Sequence, residues 1–290
     1  MISSRQGYML EQGEYGLRAV LTLDWNLDTE RSLLKQPISE LELNRAKGWR
    51  GHDLSFVSQF PELMAIKIIG KTAESLSPIH TLHNLRALDV MTYCKSELRF
   101  NEFPNLIKCS LEWRPKATSL FDCISLNTLL LKGYRGSDTE PFAKLKNLES
   151  LTILGSGIQS LEGLGSLVKL RSLRLGDMRK LPSLRGIENL VLLEKLEIDT
   201  CRKIHSVEEI SRLARLRELY LDNMADLESL KPLAGLSQLR RLTFVGSTNI
   251  RDGDLSLLLR LANLELVAFQ DRPQYSHRRQ DFANETSARA

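Results

Sequence analysis

The chain repeats one short apolar pattern along most of its length. The pattern places an apolar residue at the first, fourth and sixth positions of each unit, in 33 of 33 cases over eleven units. Successive units start 20 to 25 residues apart. A sustained period of this length predicts one structural unit that is copied along the chain, with neighbouring copies sharing a core. The units begin at Ile38, Leu63, Leu85, Leu106, Leu126, Leu148, Leu170, Leu193, Leu216, Leu239 and Leu264.

Each unit reads as a short strand followed by a turn. Leu151 and Ile153 are two residues apart, so they share one face of a strand, and Thr152 points to the other face. The apolar residues that follow are three apart, as in Leu161 and Leu164, which favours 3₁₀ turns or a short helix. A large aliphatic side chain gains about 1.5–3 kcal/mol on burial, so a single unit stabilises little until its neighbours stack on it.

The pattern LxxLxLxx with a variable segment after it resembles the leucine-rich-repeat family, over residues 38–271. The resemblance implies an α/β solenoid, with a curved parallel sheet on the concave side and 3₁₀ turns or short helices on the convex side. It resembles in particular the small stand-alone repeat proteins of bacteria. The family usually carries Asn at the ninth position, which this chain lacks. We expect Met178, Cys201 and Met224 to pack inward there instead.

The two ends differ from the repeats. Residues 1–37 contain the apolar run LRAVLTLDWN and then DTERSLLKQ, which predicts a capping segment with Asp28 or Thr29 at the start of a helix. Residues 272–290 are polar and have few aliphatic side chains, so we expect a disordered C-terminal tail. The predicted organisation is therefore a cap, about eleven repeats over 38–271, and a tail.

Composition and motifs argue against several classes of protein. The net charge of +4 is mild, no apolar run is long enough to span a membrane, and the first residues lack a signal core, so we expect a cytoplasmic protein. The four cysteines, whose spacing shows no CxxC pair, indicate reduced thiols rather than a disulfide framework or structural zinc. They are Cys94, Cys109, Cys123 and Cys201.

No catalytic constellation stands out. The sequence has no phosphate-binding loop, dinucleotide fingerprint or nucleophile elbow. His80 and His83 could share a helical face and hold a metal, but with no third ligand in view we interpret them as exposed residues. We predict a protein that is not an enzyme, with no catalytic residues, cofactor or metal.

The residues left for function point away from the core. One group is apolar, and side chains of this size on an exposed strand face favour a contact surface, with Trp113 as its central residue. The alternative is that Trp113 packs over the turn of its own repeat. The predicted apolar group is Ile69, Met91, Trp113, Leu130 and Leu154.

The second group is acidic and lies in later repeats. In a chain of net charge +4 it would repel nucleic acid and attract a basic protein. The alternatives are a solvated surface or pairing with neighbouring bases across the strands. The predicted group is Asp177, Glu197, Asp199, Glu218 and Asp222, with Tyr220 and Asn223 beside them.

These features favour a non-catalytic scaffold that binds a protein partner through the concave face. An immunity or regulatory partner of a basic toxin or enzyme is one form of this hypothesis. The alternatives are a structural module that self-associates and an enzyme-regulatory subunit. We expect no nucleic acid and no membrane among its partners, and the sequence leaves the oligomeric state open.

Overall fold

The computed structural model describes the backbone of residues 7–286 and the side chains of residues 7–70 and 73–282. The chain forms two compact units that divide after Leu130. We call residues up to Leu130 the first unit and those from Leu131 the second unit. Strand β7 (Thr128–Lys132) contains the division.

The first unit begins with an antiparallel hairpin of β1 (Tyr8–Gln12) and β2 (Leu17–Leu21). Helix α1 (Leu27–Leu33) follows, and β2 then pairs in parallel with the first repeat strand. The predicted helix cap was wrong, because Asn26 caps α1. Its extended backbone lets the side chain accept the N–H groups of Asp28 and Thr29, so these residues are capped rather than capping.

The repeat strands of the first unit are parallel and in register. Leu41, Ile66, Leu88 and Cys109 lie opposite one another on successive strands, and each is at most 2% exposed. Their shared burial supplies the core on the inward face of the sheet. The strands are β3 (Ile38–Asn44), β4 (Ala65–Thr72), β5 (Ala87–Tyr93) and β6 (Lys108–Glu112). The 3₁₀ helices are Arg45–Lys47, Ser55–Gln59, Ser77–Thr81, Phe100–Glu102 and Pro115–Asp122.

The second unit follows the same plan with greater regularity. Leu151, Leu173, Leu196 and Leu219 lie opposite one another on parallel strands and are fully buried, so the predicted register is confirmed. The strands are β8 (Ser150–Leu154), β9 (Ser172–Gly176), β10 (Lys195–Asp199), β11 (Glu218–Asp222), β13 (Arg241–Phe244) and β15 (Leu266–Phe269), with a separate pair of β12 (Asp226–Leu227) and β14 (Asn249–Ile250). The 3₁₀ helices are Glu140–Lys144, Glu162–Ser166, Glu208–Arg212, Lys231–Gly235 and Ser256–Arg260.

In three second-unit repeats the ninth position turns inward without asparagine. Met178, Cys201 and Met224 are fully buried there, as predicted. In the first unit Arg114 takes this position, and its guanidinium donates to the carbonyl of Thr92 at 3.0 Å. A donor from the ninth position therefore still reaches the backbone of the preceding repeat at that point.

The C-terminal segment differs from the predicted disordered tail. Helix α2 (Arg279–Thr286) forms, and Phe282 packs against Phe269 of the last strand with ring centroids 5.9 Å apart. Tyr275 also packs on Phe269, and its hydroxyl accepts the N–H of Ile250 at 3.0 Å. Two aromatic side chains thus cover the end of the core. The segment was predicted to be disordered because its overall composition is polar, which hides these two residues. Residues 287–290 of the predicted tail lie outside the described residues.

Candidate partner-binding surfaces

The eighth position of the second-unit repeats adopts a left-handed backbone. Asp177, Thr200 and Asn223 have φ of 53°, 57° and 52°, and glycine takes the corresponding position in three other repeats. The N–H of Asp177 donates to the carbonyl of Asp199 at 2.9 Å, and the N–H of Thr200 to that of Asp222 at 3.1 Å. This turn fixes how side chains leave the end of each strand. The sequence analysis missed it, although the glycines Gly133, Gly155 and Gly246 at the eighth position carry the signal.

Asp199 and Asp222 are held by neutral donors. Oδ1 of Asp199 accepts from Nδ2 of Asn223 and from Oγ1 of Thr200, both at 2.9 Å. Oδ1 of Asp222 accepts from Oγ1 of Thr243 at 2.9 Å. Among the described residues neither aspartate forms an ion pair. Their orientation is therefore fixed while their negative charge stays available.

The other predicted acids are paired with bases. Glu197 lies 2.6 Å from Nζ of Lys195 and 3.3 Å from Nε of Arg174, and Asp177 lies 2.8 Å from Nε of Arg179. The hydrogen bond to Glu197 raises the pKa of Lys195. Cross-strand pairing, the alternative considered from the sequence, thus describes Glu197, and the uncompensated charge concentrates on the two aspartates.

Tyr220 lies within this charged group. Its hydroxyl donates to Oε2 of Glu218 at 2.9 Å, and Nζ of Lys195 lies 5.2 Å from the centre of its ring. Burial and the neighbouring Glu218 raise the pKa of Tyr220. The second-unit group is therefore a network of fixed polar side chains rather than a set of free acids.

The predicted apolar residues of the first unit differ in their surroundings. Ile69 and Met91 lie opposite each other on β4 and β5, and both are half-buried. Trp113 packs instead on Phe121 of its own repeat, with ring centroids 5.7 Å apart. Leu130 is half-buried on β7. The structure thus shows for Trp113 the packing that the sequence analysis weighed as its alternative.

Leu154, the fifth member of the predicted apolar group, belongs to the second unit. It is half-buried at the end of β8. A Cβ atom added at Gly176 would lie 2.8 Å from Cδ2 of Leu154, so the leucine packs over the space that this glycine leaves on the next strand.

The tip of the first hairpin, residues 13–16, forms a feature that the sequence analysis missed. Glu40 on β3 points outward yet is only 3% exposed. Its carboxylate accepts from the N–H of Tyr15 at 2.5 Å and from Nε of Arg18 at 2.7 Å. Glu14 at the tip pairs with Lys108 on β6. The tip therefore folds over the outward face of the first-unit sheet.

A hollow lies between this tip and the sheet. Its volume is about 260 Å³, and the residues around it come from the tip and from β2 to β7. Asp89 on β5 lines it, with Oδ2 3.5 Å from Nζ of Lys67 and Oδ1 without a hydrogen-bond partner. Burial raises the pKa of Asp89.

The interpretation of both histidines as exposed was wrong for one of them. His80 is 7% exposed, and its Nε2 accepts the N–H of Arg99 at 3.0 Å. Burial lowers its pKa, and the charge of Arg99 adds to this effect. His83 is exposed, with Nδ1 3.0 Å from the carbonyl oxygen of Glu102. His80 thus serves the packing between two repeats.

The cysteines are buried free thiols. Burial raises the pKa of Cys109 well above its ordinary value, that of Cys123 to about 11 and that of Cys201 to about 12. These three are therefore protonated and poorly nucleophilic at neutral pH. No group of three or more His, Cys, Asp or Glu side chains in the described part of the chain is arranged to hold a metal ion. Within the same residues, no helix has the length and apolar character needed to cross a membrane.

Comparison with known proteins defines the fold. No family model matches the sequence, and no curated protein matches it. Internalin InlF from Listeria monocytogenes is similar in structure, with a TM-score of 0.57 and 20% identity over 88% of this chain and 87% of that one. Internalin C2 from the same bacterium gives 0.51 and 19%, over 73% and 83%.

The functional domain of InlJ, also from Listeria monocytogenes, gives a TM-score of 0.57 and 18% identity over 82% of this chain. This chain covers 51% of that domain. Likeness at these identities concerns the fold alone. The chain has the leucine-rich-repeat fold, as its sequence predicted.

Proposed function

We propose that this chain is a non-catalytic scaffold that binds a protein partner through the outward faces of its strands. The observation that carries the proposal is a contrast between the two faces. Inward positions repeat leucine or a similar residue, whereas the fifth, outward position of successive second-unit strands changes at every step. It is Thr152, Arg174, Glu197, Tyr220 and Thr243. A core of repeated residues that carries a surface of non-repeated residues is typical of repeat proteins that bind one partner.

The fixed network in the second unit supports a basic partner. Asp199 and Asp222 are oriented before binding, so a partner need not order them, which lowers the entropic cost of association. Their donors are neutral, so their charge can attract a positively charged surface and raise the association rate. An immunity or regulatory partner of a basic toxin or enzyme is the specific form of this proposal.

The apolar residues supply a second contact surface in the proposal. Ile69 and Met91 are neighbours on the sheet and remain half-exposed, so a partner can bury what is left of them. Leu130 and Leu154 add to the apolar area on their own strands. Trp113, which packs on Phe121, is half-buried and belongs to the same proposed surface.

A matched pair of variants tests the proposal. Wild-type protein, D199N/D222N and R202A/K203A would each be used to capture proteins from a lysate of the source organism. Arg202 and Lys203 are exposed in the turn that follows β10. A specific partner should be retained by wild type and R202A/K203A and depleted with D199N/D222N. Equal retention by all three would contradict the proposed surface.

Kinetics with the purified partner then test the electrostatic part. The association rate should fall as ionic strength rises toward 0.15 M, where the Debye length is about 8 Å. The D199N/D222N variant should associate roughly tenfold more slowly at low salt and show a weaker salt dependence. An association rate that responds to neither change would remove the case for a basic partner.

Self-association is the second candidate, and strand β1 favours it. This strand lies at the edge of the sheet, and Met9 on it is 48% exposed. An uncovered edge can pair with the edge of a second copy. Light scattering at micromolar concentration separates the two, because a dimer lost on Leu10→Pro, which removes an N–H that faces away from β2, would support self-association.

A further inference from the structure

We propose that the hollow on the outward face of β4 and β5 receives one basic side chain, lysine or arginine, from the protein partner. The proposal rests on the function proposed above and assigns a specific anchor to the first unit. Four features carry it: the floor of the hollow, its frame, an acceptor without a donor, and the pairing of the surrounding charges.

The floor comes from two small residues at one repeat position. The register aligns Glu40, Ala65, Ala87 and Lys108 on four successive strands, all at the third, outward position. The two alanines end at Cβ, so the space above them stays open between the longer side chains on either side. This arrangement accounts for a hollow of about 260 Å³, which is close to the lower end of typical ligand sites.

The hairpin tip frames the hollow. Tyr15 is fixed through its N–H on Glu40, and Glu14 through its ion pair with Lys108. Gly13 lies directly on Glu40, since a Cβ added at Gly13 would come within 2.4 Å of the carboxylate. The tip thus spans the strands from β3 to β6. A side chain that enters the hollow is therefore enclosed by the tip as well as by the sheet.

Asp89 provides an acceptor that lacks a donor. Its Oδ2 has Lys67 3.5 Å away, while Oδ1 is shielded from solvent and has no hydrogen-bond partner. An acceptor in that situation destabilises the folded state until a donor reaches it. The terminal torsion of an aspartate is soft, so Asp89 can rotate to present Oδ1 to a donor in the hollow.

The other charged groups at the hollow are already paired. Arg18 pairs with Glu40 at 2.6 Å, Lys108 pairs with Glu14, and Lys67 lies 3.5 Å from Oδ2 of Asp89, so Oδ1 is the acceptor that remains. Asp89 can therefore accept a further hydrogen bond at Oδ1, and its negative charge would repel an anionic ligand. Lysine and arginine combine an aliphatic stem, which suits the alanine floor, with terminal N–H donors for Asp89.

The test uses alanine methyl groups as local reporters. Protein labelled with ¹³C in its alanine methyls would be titrated with N-acetyl-lysine methylamide, N-acetyl-arginine methylamide and the uncharged N-acetyl-norleucine methylamide. The Ala65 and Ala87 signals should shift with one or both cationic probes and remain still with norleucine. Ala214, exposed in the second unit, should not shift with any of them. Absence of a shift up to about 50 mM cationic probe, or an equal shift with norleucine, overturns the proposal.

Two variants sharpen the result. A87L fills the hollow, and Leu266 at the same repeat position of β15 shows that the fold accepts leucine there. D89N keeps the shape and removes the charge. Each should weaken the binding of the cationic probes at least tenfold, whereas S172L, at the third position of β9 in the second unit, should leave it unchanged. Unchanged probe affinity in D89N would contradict the role of Asp89, whether or not A87L folds.

The outcome can be told apart from that of the proposed function. The probe titration requires no protein partner, so cationic probes that bind while no partner is captured would support the hollow and count against the scaffold function. A captured partner whose affinity A87L and D89N do not change would support the scaffold function and overturn the anchor.

Discussion

The two units use the same repeat but present different outward faces. In the second unit the strands end in left-handed turns, and the outward side chains form a hydrogen-bonded network open to solvent. In the first unit the outward face of β3 is covered, with Glu40 and Glu42 each 3% exposed. The contrast teaches that the repeat determines the core, while the hairpin tip and the outward residues decide whether a strand face becomes an open platform or a framed hollow.

The largest expected effect concerns the core that both units share. Leu196→Ala removes a fully buried side chain between repeats and should cost about 2–5 kcal/mol in free energy of unfolding, because the rigid stack cannot close the cavity. Chemical denaturation measures it. Glu197→Gln, its outward neighbour, is the control and should stay within about 1 kcal/mol of wild type. Similar losses in both variants would mean that the inward and outward faces have been assigned wrongly.

The covered face of the first unit predicts the next effect. Glu40→Gln weakens the acceptor for Arg18 and for the N–H of Tyr15, so unfolding free energy should fall by about 1–3 kcal/mol. Glu14→Gln, at the exposed end of the same tip, should cost less than about 1 kcal/mol. If both variants unfold like wild type, the tip is not held on Glu40.

Trp113→Ala should also lower stability, by about 1–3 kcal/mol, since it removes the ring that packs on Phe121. Trp113→Phe, which keeps an aromatic ring, is the matched control and should recover most of that loss. Thermal denaturation measures both. A melting temperature unchanged in Trp113→Ala would mean that the packing of Trp113 on Phe121 does not stabilise the fold.

The smallest expected effect concerns the turns of the second unit. Thr200→Gly relieves a left-handed φ of 57° in a β-branched residue and should raise stability by about 0.5 kcal/mol, net of the greater freedom of the unfolded chain. Asn223→Gly should gain less, because asparagine tolerates this conformation. Equal and unfavourable changes in both would show that their side-chain bonds to Asp199 outweigh the backbone strain.

The repeat fold could be predicted from the sequence because the spacing of the apolar residues determines which side chains are buried. Side chains at the first, fourth and sixth positions of each repeat face the core, as Leu151 and Leu196 do at the fourth position. This assignment follows from the local pattern and requires no knowledge of distant contacts. The ends escaped prediction for a different reason. Tyr275 and Phe282 are isolated aromatics in a polar segment, and only their distance from Phe269 in space reveals that they cover the core.

The candidate sites were predicted less completely. The repeat pattern placed Asp199 and Asp222 on the outward face. It could not show that the side chains of Asn223 and Thr243 donate hydrogen bonds to them. The hollow was out of reach, because Glu14 and Lys108 are 94 residues apart in the chain. Alanine at the third position of two successive repeats was its one local signal.

Carboxyl footprinting of the complex tests the central claim most directly. Reaction of the free protein and of the complex with a carbodiimide and an amine would label exposed carboxylates, to be quantified by mass spectrometry. We predict that partner binding protects Asp199 and Asp222 on the strand face, while Glu208, exposed in a 3₁₀ helix, and Glu228, exposed after β12, react as before. Protection of Glu208 and Glu228 with continued labelling of the two aspartates would contradict it.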